Sequence, residues 1–178
     1  MKKMKFFVCT FIITLLIICS NQTYGQTVKD TLIYLDSLQA MVNLIENNLP
    51  HYNQQIIENM DESTEGGAVI GYYEFNELKK IEAIFFGETG KWKDEYYLED
   101  SVLFAVNIKE YYYNNSIMEE KVEIDSTSEL NILIINKKLY SSGKDQNSII
   151  NYNEEFSLSV YKDFEKHLNN LGKIRFHR

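Results

Sequence analysis

Apolar residues recur at helical spacing near both ends of the chain, and this spacing predicts two amphipathic helices. The first stripe, over 28–49, contains Val28, Leu32, Leu35, Val42, Ile45 and Leu49. Pro50 follows it and stops or kinks the helix, because proline lacks an N–H and disfavours helical geometry in the residue before it. A short second helix carrying Tyr52, Ile56 and Met60 is a further prediction. The last stripe, over 153–171, contains Phe156, Val160, Phe164, Leu168 and Leu171.

Between these stripes the chain reads as short β-type runs separated by turn signals. The clearest runs cover 68–75, 79–86, 92–98 and 102–113, and weaker ones follow at 117–124, 130–135 and 137–140. Strands joined by such short turns pair in antiparallel fashion, because parallel neighbours need long crossovers. The predicted fold class is therefore α+β: an antiparallel β-meander of about five to seven strands, with the N-terminal and C-terminal helices packed on one face.

Strand alternation predicts which side chains share a face of this sheet. The more apolar set, expected to meet the helices, contains Trp92, Tyr96, Leu98, Val102, Phe104, Val106 and Ile108. The opposite set contains Lys93, Glu95, Tyr97, Leu103, Ala105, Asn107, Lys109, Tyr111 and Tyr113. Two interpretations of this second face stand side by side. It is either a solvated sheet surface or a binding surface in which Tyr97, Tyr111 and Tyr113 offer rigid contact area with polar tips.

The first 25 residues have the organisation of an export signal. A basic stretch, 1–5, precedes a 14-residue apolar run, 6–19, and a polar segment ends in small residues at 20–25. The apolar run is shorter than the roughly 20 residues that span a bilayer. We therefore expect cleavage after Gly25 and a single α+β domain over 26–178, with no membrane span in the mature chain. The predicted location is the periplasm or the medium.

A lipoprotein alternative rests on Cys19. The segment 16–19 (Leu-Ile-Ile-Cys) resembles a bacterial lipobox, whose cysteine is lipidated and becomes the mature N-terminus. Ile18 departs from the pattern, which has a small residue immediately before the cysteine. Under this alternative the protein is an outer-membrane lipoprotein.

Composition narrows the classes of partner. The chain has 18 basic and 26 acidic side chains, a net charge of −8, and two cysteines. Removal of 1–25 takes away three lysines, no acid and both cysteines, which leaves a cysteine-free chain of net charge −11. Such a chain has no thiolate for a metal site or disulfide, and we expect no nucleic-acid partner because phosphate-backbone affinity depends on clustered Lys and Arg.

Searches for known chemistry assign no catalytic residue, metal site or cofactor. The segment 87–91 (Gly-Glu-Thr-Gly-Lys) lacks the spacing of a phosphate-binding loop and is better explained as a hairpin turn. Residues 59–65 alternate like the start of an EF-hand but lack its glycine and its final glutamate, so that only a weak calcium site is left open. The three histidines lack the spacing of paired metal ligands, and His167 suits the negative end of the last helix.

Paired aromatic residues carry a resemblance. Tyr72–Tyr73 and Tyr96–Tyr97 each precede a turn by two residues, and a third pair is Tyr112–Tyr113. This rhythm resembles β-hairpin repeat proteins, including MORN-type repeats. The mature chain also resembles small exported bacterial proteins of uncharacterised function, through Gly66–Gly67, Tyr72–Tyr73, Leu78–Ile81, Ala83, Phe86–Gly87, Gly90–Lys91 and Tyr96–Tyr97. The resemblance implies a meander and export, and it implies no activity.

These observations lead to one functional hypothesis and two alternatives. The leading hypothesis is an exported, non-catalytic binding module that uses its open sheet face or a free strand edge to contact a protein or glycan. The first alternative is a periplasmic hydrolase with its site under the loop 61–67. The second is an envelope lipoprotein with a structural role, attached through Cys19.

Overall fold

A computed structural model describes residues 33–58, 63, 65–118, 121–142 and 149–172. The chain divides into two compact units, Met1–Ala40 and Met41–Arg178. The described part of the first unit is helical over 33–40, and the helix, α1, is continuous in the chain to residue 48. A single 3-10 turn at Leu49–His51 then contains Pro50. The described residues confirm the predicted first helix and its end at the proline.

The second unit contains a sheet of eight strands in the described residues, with sheet order equal to chain order. Every strand pairs antiparallel with the next. The strands are β1 Asn53–Glu58, β2 Gly67–Glu74, β3 Glu77–Gly87, β4 Gly90–Glu99, β5 Val102–Tyr113, β6 Ile124–Ile135, β7 Lys138–Ser142 and β8 Ile149–Asn151. The predicted α+β fold class with an antiparallel meander is confirmed, and short edge strands raise the strand count above five to seven.

Strand β1 replaces the second helix predicted after Pro50, so that prediction was wrong. Asn53–Glu58 pairs along its whole length with β2, from Asn53 opposite Tyr73 to Glu58 opposite Ala68. Three apolar residues at four-residue steps were the only helical signal in this segment. A full row of inter-strand hydrogen bonds outweighs so weak a local preference, as tertiary context often does.

The C-terminal helix α2, Glu154–Gly172, lies against β1, β2 and β3. Asn153 caps it, since its Oδ1 accepts the N–H of Phe156 at 2.9 Å. The helix and one face of the sheet enclose the hydrophobic core, which contains Val69, Ile81, Ala83, Phe85, Tyr96, Leu98, Leu103, Val106, Ile132, Ile134, Leu139, Val160, Phe164 and Leu171. Gly71 permits this close approach, because a Cβ there would lie 3.1 Å from Cδ1 of Leu171. The predicted last helix is confirmed.

His167 is part of this core and not an exposed cation at the helix end. Its side chain is 2% exposed. Its ring centroid lies 5.8 Å from those of Phe85 and Tyr96. His167 lies on the same buried face of α2 as Phe164 and Leu171, which are three and four residues away. It is therefore buried although it lies near the end of the helix.

A β-bulge changes the predicted faces of β5. The register passes from Tyr97 opposite Ala105 to Leu98 opposite Leu103, which leaves Phe104 as the extra residue. Leu103 therefore joins the core beside Leu98, whereas simple alternation placed it on the opposite face. One inserted residue is enough to move Leu103 to the other face, because successive side chains of a strand point to opposite faces.

Three two-residue turns gather at one end of the sheet. They are Phe75–Asn76, Asp100–Ser101 and Asn136–Lys137, and both residues of each turn have positive φ. This pattern is that of the type I′ turn, whose twist matches the twist of the flanking strands. The meander places all three at the same end because each joins an even-numbered strand to the next odd-numbered one, with the loops after β3 and β5 at the opposite end.

Candidate functional site

A buried charge network lies on the face of the sheet opposite α2. Its centre is Lys80, whose side chain is 1% exposed. The Nζ of Lys80 lies 2.6 Å from Oε1 of Glu46 and 2.6 Å from Oε1 of Glu95. Lys80 follows Lys79, which is the extra residue of a β-bulge. Because successive side chains of a strand point to opposite faces, Lys80 points away from the core that its neighbour Ile81 enters. The prediction put both helices on one face, whereas Glu46, near the end of α1, reaches the face that α2 does not cover.

Glu95 joins the network to two further lysines. Its carboxylate lies 2.9 Å from Nζ of Lys93 and 3.5 Å from Nζ of Lys109. Burial alone would raise the pKa of Glu95, but the charges and hydrogen bonds of Lys80 and Lys93 outweigh it and lower the pKa to about 2. Burial would likewise lower the pKa of Lys80, and its two carboxylate partners raise it instead. Both groups therefore keep their charges throughout the neutral range.

Tyr97, the first of the predicted binding tyrosines, belongs to this network. Its side chain is buried, with 2% exposure, and its hydroxyl donates a hydrogen bond to Oε1 of Glu46 at 2.8 Å. Burial, the negative charge of Glu95 and the bond to Glu46 together raise the pKa of Tyr97. Because the network is covered here, this part of the face is not an open surface.

Tyr111 and Tyr113 lie at the far end of the same strands. Tyr111 pairs with Lys91, six residues from Tyr97 along β4, which corresponds to about 20 Å. The Nζ of Lys91 lies 4.7 Å from the centroid of the Tyr111 ring, in a cation–π contact. Tyr113 is also half-buried, and its N–H donates to the carbonyl oxygen of Thr89 at 2.9 Å. The structure thus separates Tyr97 from the other two predicted residues.

A small cleft lies beside Tyr111, between the β3–β4 turn and β5, and we call it the aromatic cleft. Its volume is about 250 Å³, and its lining residues are Gly87, Thr89, Gly90, Lys91, Trp92, Glu110, Tyr111 and Tyr112. Trp92 is 37% exposed and Tyr112 is 48% exposed. The Trp92 ring packs against Phe85 with 5.5 Å between centroids, which fixes the indole to the core. An exposed aromatic ring held in this way offers contact area at a low cost in side-chain entropy.

Charged groups of both signs border the aromatic cleft. Glu110 accepts a hydrogen bond from the Tyr112 hydroxyl at 2.5 Å, and this bond raises the pKa of Tyr112. Lys91 stands over the neighbouring Tyr111 ring. Gly90 allows β4 and β5 to meet closely, because a Cβ at this position would collide with the carbonyl oxygen of Tyr111. The exposed side of the cleft therefore combines the Glu110 carboxylate with flat aromatic rings, while the ammonium of Lys91 lies with Tyr111 on the other face of the hairpin.

Sequence reasoning found only part of this site. It selected Tyr111 from its face and assigned Trp92 to the helix-facing set, where the structure has it, but it did not single out Trp92 or Tyr112 as binding residues. The register explains the omission: Trp92 lies opposite Glu110, and Gly90 lies opposite Tyr112, so these residues become neighbours across two strands. The sequence did contain a signal, the run of three tyrosines at 111–113. The β4–β5 hairpin places this run beside the single tryptophan, Trp92.

One group of carboxylates has the spacing of a metal site. The carboxylates of Glu77, Glu99 and Asp100 lie within 4.8 Å of one another. The ammonium of Lys79 lies 3.0 Å from Glu77 and 2.8 Å from Glu99, so it already neutralises part of their charge. The hydrogen bond from Lys79 to Glu77 lowers the pKa of that carboxyl. The arrangement is an ion-pair cluster in this structure.

Several sequence predictions fall outside the described residues. They include the signal peptide 1–25, the lipidation site Cys19 and much of the calcium-like segment 59–65. Residues 61, 62 and 64 also lie outside the described residues; they belong to the loop 61–67, under which the hydrolase alternative placed its site. In the part of the chain that the structure describes, no helix has both the length and the apolar character needed to cross a bilayer.

Comparisons with known proteins add no relative. No family model matches the chain, and neither the curated proteins nor the solved structures give a significant match.

Proposed function

We propose that this chain is an exported, non-catalytic binding module that contacts its partner through the aromatic cleft. The observation that carries the proposal is the exposure of Trp92 and Tyr112 around a cavity of about 250 Å³. Large aromatic residues exposed at the surface are typical of recognition sites. Trp92 and Tyr112 lie on the helix-facing side of the sheet, at the same end of β4 and β5 as Tyr111 and Tyr113 on the opposite face. Export is proposed from the signal-like segment 1–25, with lipidation at Cys19 as the alternative.

The chemistry of the aromatic cleft favours a neutral sugar ring over a protein partner. The volume is below the roughly 300–1,000 Å³ of most small-molecule sites, which suits one ring. The apolar C–H face of a pyranose stacks on an aromatic ring such as Trp92. Its hydroxyl groups can donate to the carboxylate of Glu110, which lies directly opposite Trp92 on the same face.

The buried charge network supports the non-catalytic part of the proposal. A general acid or base works best with a pKa near the working pH. In the network the pKa of Glu95 is lowered to about 2, while the pKa values of Lys80 and Lys93 are raised. These groups hold fixed charges at neutral pH, which suits a structural role and does not suit proton transfer.

Fluorescence of the single tryptophan tests the proposal directly. The purified protein is titrated with neutral cello-, xylo-, malto- and chito-oligosaccharides while Trp92 emission is recorded. We expect a saturable change with at least one series, and an affinity lower by about tenfold in Tyr112→Ser and in Glu110→Gln. Both positions are exposed, so the fold is expected to persist in both variants.

The control variant is Phe75→Asn, at the opposite end of the sheet, which should bind like the wild type. Circular dichroism of every variant checks that the fold is kept. If no sugar series gives a saturable change, or if Tyr112→Ser and Glu110→Gln bind as the wild type does, the aromatic cleft is not a glycan site.

A further inference from the structure

A second exposed feature lies at the end of the sheet opposite the aromatic cleft. Phe75 occupies the first position of the β2–β3 turn with φ of 47°, and its side chain is 92% exposed. Asn and Gly tolerate the left-handed region, whereas phenylalanine does so only at a cost of about 1–2 kcal/mol. The position thus combines a strained backbone with a large apolar side chain in water, and neither property helps the fold.

Phe75 forms the edge of an open cleft, which we call the turn-end cleft. The cleft has a volume of about 500 Å³ and is lined by Phe75, Asn76, Glu77, Leu78, Leu98, Ser101 and Leu168. Leu98 is 2% exposed, so it belongs to the core, while Leu168 of α2 is 38% exposed. Val102, next to the lining residue Ser101, is 65% exposed. Two hairpin turns and one helix therefore leave a depression, lined in part by apolar side chains, that is large enough to take a side chain and its neighbours.

A cluster of carboxylates, which we call the acidic rim, adjoins the turn-end cleft through the lining residue Glu77. Glu77, Glu99 and Asp100 bring their carboxylates within 4.8 Å of one another. One ammonium, that of Lys79, lies among them, and its side chain is only 8% exposed. Three negative charges thus meet one positive charge, and the negative groups are the more accessible ones, with the side chains of Glu77 and Glu99 at 38% and 46% exposure. The excess charge beside the apolar cleft is negative.

We propose that the turn-end cleft docks a basic segment of a partner polypeptide, with an aliphatic side chain in the cleft and flanking Lys or Arg residues on the acidic rim. The apolar cleft supplies the contact area, and the carboxylates supply the charge complementarity that orients the segment. A membrane surface is disfavoured, because the same carboxylates would face anionic lipid headgroups. A metal ion would have to displace the ammonium of Lys79. This site is separate from the aromatic cleft and does not depend on its ligand.

A matched pair of peptides tests the docking site. The probe is a fluorescein-labelled hexapeptide with two central leucines flanked on each side by two lysines. Its partner has glutamates in place of the lysines. Fluorescence polarisation against the full chain at low and high salt measures binding. We expect the lysine peptide to bind at low salt and to weaken as salt rises, and the glutamate peptide not to bind.

Variants separate the turn-end cleft from general attraction to an acidic protein. Phe75→Asn keeps the left-handed turn and removes the ring, and Glu99→Gln with Asp100→Asn removes two rim charges. Each change is expected to raise the dissociation constant by about fivefold to tenfold. The matched controls are on exposed positions of α2: Leu158→Gln removes an exposed apolar side chain, and Glu155→Gln with Asp163→Asn removes the same charge elsewhere. These controls should bind as the wild type does.

Three results would overturn the proposal. Equal weakening by the rim and the α2 charge variants would show that only net charge attracts the peptide. Unchanged binding in Phe75→Asn would show that the cleft takes no side chain. Binding of the protein to vesicles of anionic phosphatidylglycerol, lost in Phe75→Asn, would identify the exposed ring as a membrane contact instead.

Discussion

Replacement of Lys80 by methionine tests whether the buried charge network stabilises the fold. The variant keeps the length of the side chain but leaves Glu95, which is 3% exposed, without its nearest cation. Removal of one partner from a buried pair typically costs about 3–5 kcal/mol, because a buried charge is left uncompensated. Glu95 retains Lys93 at 2.9 Å, and Glu46 is 39% exposed and can be hydrated. We therefore expect a loss near the lower limit, about 3 kcal/mol.

Urea denaturation measures this loss, with Trp92 emission and far-ultraviolet circular dichroism as two independent probes. For a slope near about 2 kcal/mol per molar urea, the midpoint should fall by about 1.5 M in Lys80→Met. Adding Glu95→Gln removes the stranded charge, so the double variant should be more stable than the sum of the single losses predicts, by about 2 kcal/mol. The control is Lys162→Met, an exposed lysine on α2.

An unchanged midpoint in Lys80→Met, or additive losses in the double variant, would contradict a stabilising role of the buried charge network. Either would mean that water reaches the network in solution and that the ion pairs resemble surface pairs, which contribute little.

Other changes have expected results of their own. The pKa of Glu95 is lowered from an ordinary 4.5 to about 2, so its contribution to the free energy of unfolding is complete above pH 4.5 and is lost as pH falls towards 2. The melting temperature should therefore fall between pH 4.5 and pH 2, and it should fall less steeply in Glu95→Gln. Tyr97→Phe deletes a buried hydrogen bond to a carboxylate, so the free energy of unfolding in urea should fall by about 2 kcal/mol. Gly90→Ala forces a Cβ against the carbonyl oxygen of Tyr111 and should cost about 1–3 kcal/mol, seen as a lower melting temperature. Phe75→Gly relieves the left-handed strain and should raise the free energy of unfolding by about 1 kcal/mol, and a lower value would contradict the assigned turn.

The sequence was sufficient for the elements whose pattern is long and regular. The stripe from Phe156 to Leu171 specifies α2, and runs of β-branched and aromatic residues between turn signals specify β2 to β5. Both signals are local, so one chain is enough to read them. The short β1 was misassigned because six residues carry too little pattern, and its pairing with β2 decides the outcome.

Details that depend on contacts distant in sequence could not be predicted. Leu103 changes sides because of a bulge, and nothing in the local pattern marks the extra residue. Tyr97 is buried because Glu46, 51 positions earlier, accepts a hydrogen bond from its hydroxyl, and because Lys80 lies opposite on β3. Strand alternation identified the face of the sheet on which Tyr97 lies, but only the position of Glu46 in α1 shows that this tyrosine is covered.

The identity of sheet order and chain order has a consequence for folding kinetics. Each strand pairs with the strand just before or after it, so every β-pairing closes only a short loop. Closing short loops costs little chain entropy, and domains rich in such local pairings fold faster than sandwiches with distant pairings. The main pairing of distant segments in the second unit is then the arrival of α2 on β1 to β3. We expect hairpins to form first and the docking of α2 to complete the cooperative unit, so that substitutions in the α2 interface speed unfolding more than they slow folding.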